Sequence, residues 1–458
     1  MKSMKKLDHF DSTAFLAVHN AGAQLVSVRL NEEKISFQNN QWPENITEPP
    51  FKISGTVPWA SHAYYLSVRP SFTLDPLFHA GAYYVQEASG MFLEFALKRT
   101  VDLSKKLNVL DLCAAPGGKS TLIQSLISKD SLLVSNEVIK NRIPALSQNM
   151  TKWGRSNGII SNNDPAHFKQ LPGFFDVMLV DAPCSGSGLF RKDPDVANTW
   201  SPDLVKLCSQ RQQRIVADVW DCLKEDGILI YSTCSYSKEE NEDILDSIFN
   251  QFSCISLPLA PDLSWRITET MADQSGARGY RFYPDKLSGE GFFLAVIQKK
   301  ERQLPGRSSI INGRPGRPGR LAKVVEQQLQ QWIKTESIHF ISVGDSIHAI
   351  PAAWLNELEI LKNSLYLKKA GIRMGKSGEN DWIPDHELAL GTILNEKVGT
   401  LELSLKDALH YLRAESFHVD PGGRGWRVIC YRGQRIGWVK LLDKRMNNYY
   451  PKSSRIRF

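Results

Sequence analysis

Between Leu107 and Tyr231 the apolar positions come in short unbroken runs. Each run is followed by a polar or glycine-rich turn and then by a helix-length segment. LNVLDLC predicts a buried strand, AAPGG a turn and KSTLIQSLIS a helix. SLLVSN predicts a second strand ending at Glu137, and NRIPALSQNMTKWG a helix with a proline interruption. NGIISNND is a third strand ending near Asp164, and FFDVMLV is a fourth that runs into DAPC. A long helical pattern spans Ser201 to Leu223, and GILIYSTCS is the fifth strand. Strands alternating with helices imply βαβ units around a mostly parallel sheet. Ligands of such sheets bind beyond the carboxyl ends of the strands. Asp111, Gly117, Glu137, Asp164, Asp181, Cys184 and Cys234 all fall at or just after those ends, which predicts a single site.

The flanks are patterned differently. Asp11 to Val28 includes an amphipathic helix, QLVSVRLN reads as helical, and Ser54 to Pro58 is a turn-rich break. Pro70 to Met91 is dense in aromatic and small residues, whose first reading is core packing, with a polar turn at Gln86 and Glu87 beside a pocket as the less favoured alternative. A helix is expected from Lys238 to Phe249, and GFFLAVI is a further strand. Arg302 to Arg320 holds five Arg and no acid among Pro and Gly, as a linker or basic loop does. After Leu321 the pattern shortens into a small α+β or β-barrel-like region. Two strands around a tight turn near its end lead to a basic tail with six basic residues and one acidic from Lys440 to Phe458. The expected organisation is an extension over 1–100, a catalytic domain over 101–300, a linker over 301–320 and a C-terminal region over 321–458.

Composition narrows the class without fixing it. At 458 residues, 42% hydrophobic and 23% charged, the chain can build two or three packed domains. The formal charge of +7 permits a polyanionic partner, and its clustering in the tail suits phosphate contacts. The seven Cys include no CxxC pair, which argues against a disulfide scaffold, structural zinc or an iron–sulfur cluster. The basic N-terminus lacks an apolar segment behind it and no run of eighteen apolar residues occurs, so a cytoplasmic protein is expected.

DLCAAPGGK, Asp111 to Lys119, is a strand, glycine turn and helix start whose backbone can approach a ligand closely. It matches neither the dinucleotide fingerprint nor the phosphate-loop motif, since Cys113 stands where the latter needs Gly. Glu137 is placed to accept ribose hydroxyls, Asp164 to meet a purine amino group, and Asp181 to face a charged cofactor end or a base. Any one of these acids alone could be a helix cap or a turn residue. As an ordered set they predict an adenosine-containing cofactor. DAPCSGSG and STCS each place a Cys just past a buried strand, so Cys184 and Cys234 are expected to face one pocket. A nucleophilic thiol needs a nearby cation or amide donors, and Arg191 and Lys192 are the candidates.

DLCAAPGGK, Glu137, Asp164, DAPCSGSG, RKDP and STCS together resemble the Sun/nucleolar-protein family of RNA (cytosine-5)-methyltransferases. YYVQEASGM and RFYP followed by GEGFFLAVI fit the same pattern, and the resemblance spans about Leu66 to Lys299. The C-terminal region resembles that of bacterial RsmF-type 16S ribosomal RNA enzymes, whose tails are PUA-like. The resemblance implies a Rossmann-like α/β methyltransferase core, an N-terminal α+β extension and a small PUA-like domain. It implies S-adenosyl-L-methionine as cofactor, held by Cys113, Ala114, Ala115, Pro116, Gly117, Gly118, Lys119, Glu137, Asp164 and Asp181. Cys234 would attack C6 of cytosine, Cys184 would assist product release, Asp181 would hold the base edge, and Lys192 would be the pocket lysine. The implied partner is RNA, with 16S ribosomal RNA or the small subunit foremost, and neither membrane nor metal. A monomer is expected. Transfer RNA as substrate, methylation at another atom, and a noncatalytic ribosome-assembly role are the alternatives.

Overall fold

The computed structural model describes residues 10–21, 25–35, 50–301, 321, 323–334, 337–378, 381–415, 423–442 and 445–457. The expected basic linker from Arg302 to Arg320 lies outside the described residues.

An antiparallel sheet opens the fold. It comprises β1 (Val26–Leu30), β2 (Ile53–Thr56), β3 (Ala63–Leu66) and β4 (Tyr83–Val85), in the order β2-β3-β1-β4. Here two expectations are corrected. QLVSVRLN is largely β1, not a helix, and all five residues of β1 are buried. Held between β3 and β4 and covered on both faces, the strand has no polar alternation to reveal its period. The break over Ser54 to Pro58 begins as edge strand β2, whose side chains alternate between half-buried and exposed. Pro58 is tolerated because it follows the last paired residue.

The central sheet follows, with β5 (Asn108–Asp111), β6 (Leu132–Asn136), β7 (Gly158–Ser161), β8 (Phe175–Asp181) and β9 (Leu223–Thr233). It continues with β10 (Cys254–Ser256), β11 (Thr268–Met271), β12 (Arg278–Phe282) and β13 (Phe292–Lys299). Its order is β11-β12-β13-β9-β8-β5-β6-β7, with β10 alongside β13. The pairs among β5 to β9 are parallel, whereas β13 runs antiparallel to β9. Successive residues of one strand feed opposite cores. Leu110, Val134 and Met178 pack on one face, and Val109, Leu133 and Leu179 on the other. The chain reverses direction across the sheet between β5 and β8, which opens a crevice at their carboxyl ends.

Helices close both faces. Gly118–Leu126 and Ile143–Trp153 follow β5 and β6, with Pro144 harmless in the first turn. Pro202–Val219 is capped by Ser201, whose hydroxyl accepts from Leu204 N at 3.1 Å. The helix expected from Lys238 to Phe249 is split. A short turn at Lys238–Glu240 is followed by a helix over Glu242–Gln251. Asn241 leaves helical geometry because its side chain ties Thr233 Oγ1 at 2.6 Å and Ser235 O at 2.8 Å.

The region after Leu321 is distributed over the molecule. It starts with β14 (Ile338–Val343) and β15 (Ser346–Pro351), and a helix over Leu355–Ser364 leads to β16 (Leu367–Ala370). Strand β16 pairs antiparallel with β7 and extends the central sheet. Then β17 (Ile372–Ser377) and β18 (Trp382–Pro384) complete a sheet with β14 and β15. The last sheet holds β19 (Thr400–Glu402), β20 (Gly425–Tyr431), β21 (Gln434–Leu442) and β22 (Arg445–Asn448). Leu412, Ile436 and Val439 share one core with Val26, Val28 and Leu30, so this sheet packs against the N-terminal one.

Candidate active site

The crevice beyond β5 and β8 is a cleft of about 330 Å³. Its floor is the turn after β5, where Gly117 adopts φ +111° and starts the helix over Gly118–Leu126. Cys113, Ala114, Ala115, Pro116, Gly118 and Lys119 line it, as do Asp111, Asp181, Lys192 and Cys234. Tyr84, Gln86 and Glu87 close it from the segment whose less favoured reading is a polar turn beside a pocket.

Cys184 and Cys234 meet. Their sulfurs lie 3.2 Å apart although fifty residues separate them in sequence. Parallel pairing of β8 with β9 sets Asp181 beside Ser232, so the two following loops leave the sheet side by side. Two glycines permit the closest approach. Gly188 N donates to Cys234 O at 2.8 Å, and Gly291 N donates to Gly188 O at 3.1 Å. A Cβ on Gly188 would stand 2.4 Å from Gly291 O and 2.8 Å from Cys234 O.

Buried carboxylates hold the loops. Glu240 accepts from Ser185 N at 2.8 Å, from the hydroxyls of Ser185 and Ser235, and from Gln212 Nε2 at 3.2 Å. It therefore ties the Cys184 loop to the Cys234 loop from behind. Glu242 forms a buried ion pair with Arg281, whose Nη1 donates to Tyr236 O at 2.8 Å. Glu290 pairs with Arg191 at 3.0 Å, and both are almost fully buried. Glu87 accepts from Ser89 N and Gly90 N at 3.0 Å and from Glu290 N at 2.8 Å. Reasoning from the sequence missed Glu240, Glu242 and Glu290. For Glu240 and Glu242 the signal was the acid-rich SKEENE run shortly after a buried strand, and for Glu290 the GEGFF segment.

Lys119 is a paired cation of the cleft. Its Nζ lies 2.7 Å from Asp181, which also accepts from Ser232 Oγ at 2.7 Å. Burial pulls this ammonium down, but the charges on Asp181 and Cys234 more than offset it and hold its pKa above the ordinary lysine value. The two candidates named for thiol assistance sit otherwise. Arg191 is committed to Glu290, and Lys192 lines the cleft as an exposed residue. The Cys184 thiol is pushed well up, first by its hydrogen bond to Cys234 and then by burial, so it stays protonated. Asp111 is raised to about 7, chiefly by burial and then by the charge of Asp181, against the lowering effect of Ser120. Its Oδ2 accepts from Ser120 Oγ at 2.6 Å, while Oδ1 is buried without a hydrogen-bond partner.

Glu137 and Asp164 stand beyond the walls of this cleft. Glu137 accepts from Ala115 N at 3.3 Å and Ile139 N at 2.9 Å, with Arg142 at 3.2 Å. It is thus joined to the cofactor turn through Ala115. Asp164 caps the turn at Pro165–Gln170 through Ala166 N at 3.0 Å and lies 3.7 Å from Arg214. From the N-terminal sheet, buried Arg29 donates to Gln86 Oε1 at 3.0 Å and Thr121 Oγ1 at 2.7 Å, with its guanidinium 4.3 Å over the Trp153 ring. It braces the helix that carries Gly118 and Lys119. Among the described residues no cluster of three or more His, Cys, Asp or Glu has metal-binding geometry, and no helix is long and apolar enough to cross a membrane.

The chain is similar to known proteins along most of its length. Residues 99–298 match a family model described as 16S rRNA methyltransferase RsmB/F. Residues 398–456 match the methyltransferase RsmF PUA domain, and residues 1–88 match the N-terminal domain of 16S rRNA methyltransferase RsmF. The ribosomal RNA small subunit methyltransferase F of Psychromonas ingrahamii is 30% identical over 449 residues, covering 93% of this chain and 90% of its own. That of Shewanella sediminis is 29% identical over 441 residues, covering 93% and 89%. Among solved structures, a methyltransferase homologue from Pyrococcus horikoshii aligns with a TM-score of 0.55 at 30% identity, over 65% of this chain and 93% of that one. The Rossmann-like core and the PUA-like domain expected from the sequence are both present in these matches.

Proposed function

The chain belongs to the RsmF family of 16S ribosomal RNA methyltransferases, and from that premise we propose that it methylates C5 of a cytosine in 16S ribosomal RNA with Cys234 as nucleophile. The observation that carries the reading is the 3.2 Å contact of Cys184 with Cys234, a residue that lines the cleft floored by the glycine turn. Methylation at nitrogen or oxygen needs no attacking sulfur. Cytosine C5 does, because it is a poor nucleophile until a thiolate adds at C6.

The cleft suits S-adenosyl-L-methionine. Asp111 offers a buried carboxylate oxygen without a partner, which fits the ammonium of an amino acid, and Glu137 sits behind Ala115 where ribose hydroxyls would be met. Cys113 to Lys119 supply the close backbone approach, while Asp164, carried over as the acid for the adenine amino group, stands outside the cleft as a helix cap. When bound, that cofactor supplies an electrophilic methyl group.

The chain's own residues do the rest. Cys234 Sγ forms a bond to C6, and the C5–C6 electron pair becomes available at C5. Asp181, fixed between Lys119 and Ser232, holds the amino and N3 edge of the base. Lys192 borders the entry as a cation. Release requires loss of the C5 proton and breakage of the S–C6 bond. The main cause that keeps Cys184 protonated is its hydrogen bond to Cys234. With Cys234 bonded to C6, Cys184 gives its own proton to solvent and takes the one from C5; the C5–H electron pair then forms the C5–C6 double bond and the S–C6 pair returns to Cys234. The target base must leave any stack to reach the cleft, which favours loops and partly assembled RNA. The same reading has the chain working as a monomer in the cytoplasm.

The test uses labelled methyl transfer to 16S RNA and to small subunits, with bisulfite sequencing to locate the methyl group. Cys234→Ala abolishes transfer, and Cys184→Ala accumulates a covalent protein–RNA adduct on denaturing gels. Normal turnover by C234A, or a methyl group placed away from C5, sinks the reading.

A further inference from the structure

A second crevice, of about 460 Å³, opens where three parts of the chain meet. Lys129 and Arg155 enter it from the catalytic domain, Glu33 from beyond β1, Lys334 from before β14, and Arg435 from β21. Four cations thus face two acids, Glu33 and Asp130. The acids do not neutralise the set evenly. Glu33 is engaged by Arg155 at 3.2 Å and Lys129 at 3.7 Å, and Lys334 lies 3.8 Å from Glu396. Among the described residues the Arg435 side chain alone of these cations has neither hydrogen bond nor ion pair, although the charge of Glu396 acts on it. It is half-buried, and burial lowers its pKa.

A guanidinium carries five donors and stays charged, so removing it from water without an acceptor is costly. The crevice therefore has donors to offer to a further anion. Its shape favours an oxyanion that a planar fork can grip through two oxygens, and phosphate meets that requirement. The cavity is open, spans sequence-distant segments and presents charge without base-reading geometry. We propose that this crevice takes a backbone phosphate of the substrate RNA, with Arg435 as its principal ligand and Lys129 and Lys334 flanking it. The proposal rests on the reading that RNA is the substrate. It adds a docking point held jointly by the N-terminal, catalytic and PUA-like parts, which would fix their orientation on the RNA.

The test is RNA binding by the full-length protein and by Arg435→Gln, measured from 50 to 200 mM salt with 16S RNA and an unrelated RNA of equal length. R435Q is expected to weaken both complexes at least about threefold and to flatten the slope of log K against log salt by about 0.7–0.9, one phosphate contact. Turnover at saturating RNA stays unchanged, and Arg435→Lys recovers part of the slope. Thermal unfolding guards against misfolding, since loss of an unpaired partly buried charge leaves the melting temperature level or higher. Unchanged affinity and slope in R435Q overturn the proposal. So does inorganic phosphate that stabilises the wild type but not R435Q while RNA binding is unaffected, because the anion is then a free one. Wild-type methylation in the same preparation reports separately on the catalytic reading.

Discussion

The two sides of the cleft are made rigid by opposite means. On the cysteine side, buried carboxylates do the holding. Glu240, Glu242 and Glu290 accept from backbone amides, hydroxyls and arginines contributed by residues 185–291. On the cofactor side the turn itself carries little side-chain bonding, and rigidity arrives from outside. Arg29 reaches in from the N-terminal sheet, and Glu137 and Asn149 secure Ala115 N and Pro116 O at 3.3 and 2.9 Å. The contact of the two sulfurs is thus held mainly by residues of β8 to β13 and their loops, whereas the glycine turn is braced in part by a neighbouring sheet. Changes on the first side should lower turnover, and changes on the second should weaken cofactor binding.

The sharpest way to break that contrast is Glu240→Ala. It strands the amide of Ser185, two hydroxyls and Gln212 in a dry site, each at a cost of about 1–3 kcal/mol. We expect a fall in melting temperature and loss of both methyl transfer and adduct formation, while Glu240→Gln retains part of each. A stable E240A with normal turnover would show that the cysteine contact does not need its buried hub. Gly188→Ala comes next. The new methyl must displace Gly291 O or Cys234 O, an overpacking cost of about 1–3 kcal/mol. Turnover should drop tenfold or more with cofactor affinity nearly intact, as read by equilibrium binding of S-adenosylhomocysteine.

How much of this was legible beforehand differs between the sides in the same way. The strand ends carrying Asp111, Glu137, Asp181, Cys184 and Cys234 could be read because buried parallel strands are short apolar runs with chemistry at one end. That the loops carrying the two cysteines lie side by side followed from the same rule. The strut could not be read. Arg29 sits in a strand buried on both faces, where neither alternation nor helical period marks it, and its partners lie about ninety residues away. Glu240 was hidden because an acid-rich run looks like a solvated helix start until its carboxylate is found buried. The contrast makes a third prediction, of moderate size. Arg29→Ala should weaken S-adenosylhomocysteine binding about tenfold, with turnover at saturating cofactor changing much less and Arg29→Lys intermediate. Equal losses in affinity and turnover would mean that the strut also reaches the cysteines.

The smallest expected effect tests the cofactor side through pH. Asp111 has a folded pKa of about 7, raised by burial above its value in the unfolded chain. Between about pH 4 and 7 the unfolded chain has therefore released this proton while the folded chain keeps it, so this group's stabilising contribution is lost as pH rises through that window. An arriving ammonium reverses the balance by favouring the carboxylate. Binding of S-adenosylhomocysteine should then strengthen as pH rises from 6 to 7, by no more than about tenfold, and release up to about one proton. Titration calorimetry in buffers of different ionisation heat measures that proton directly. Asp111→Asn should abolish the release and flatten the pH dependence while leaving Cys184 and Cys234 in contact. Persistence of the release in D111N would move its source to another group in the cleft and separate the unpartnered oxygen of Asp111 from cofactor capture.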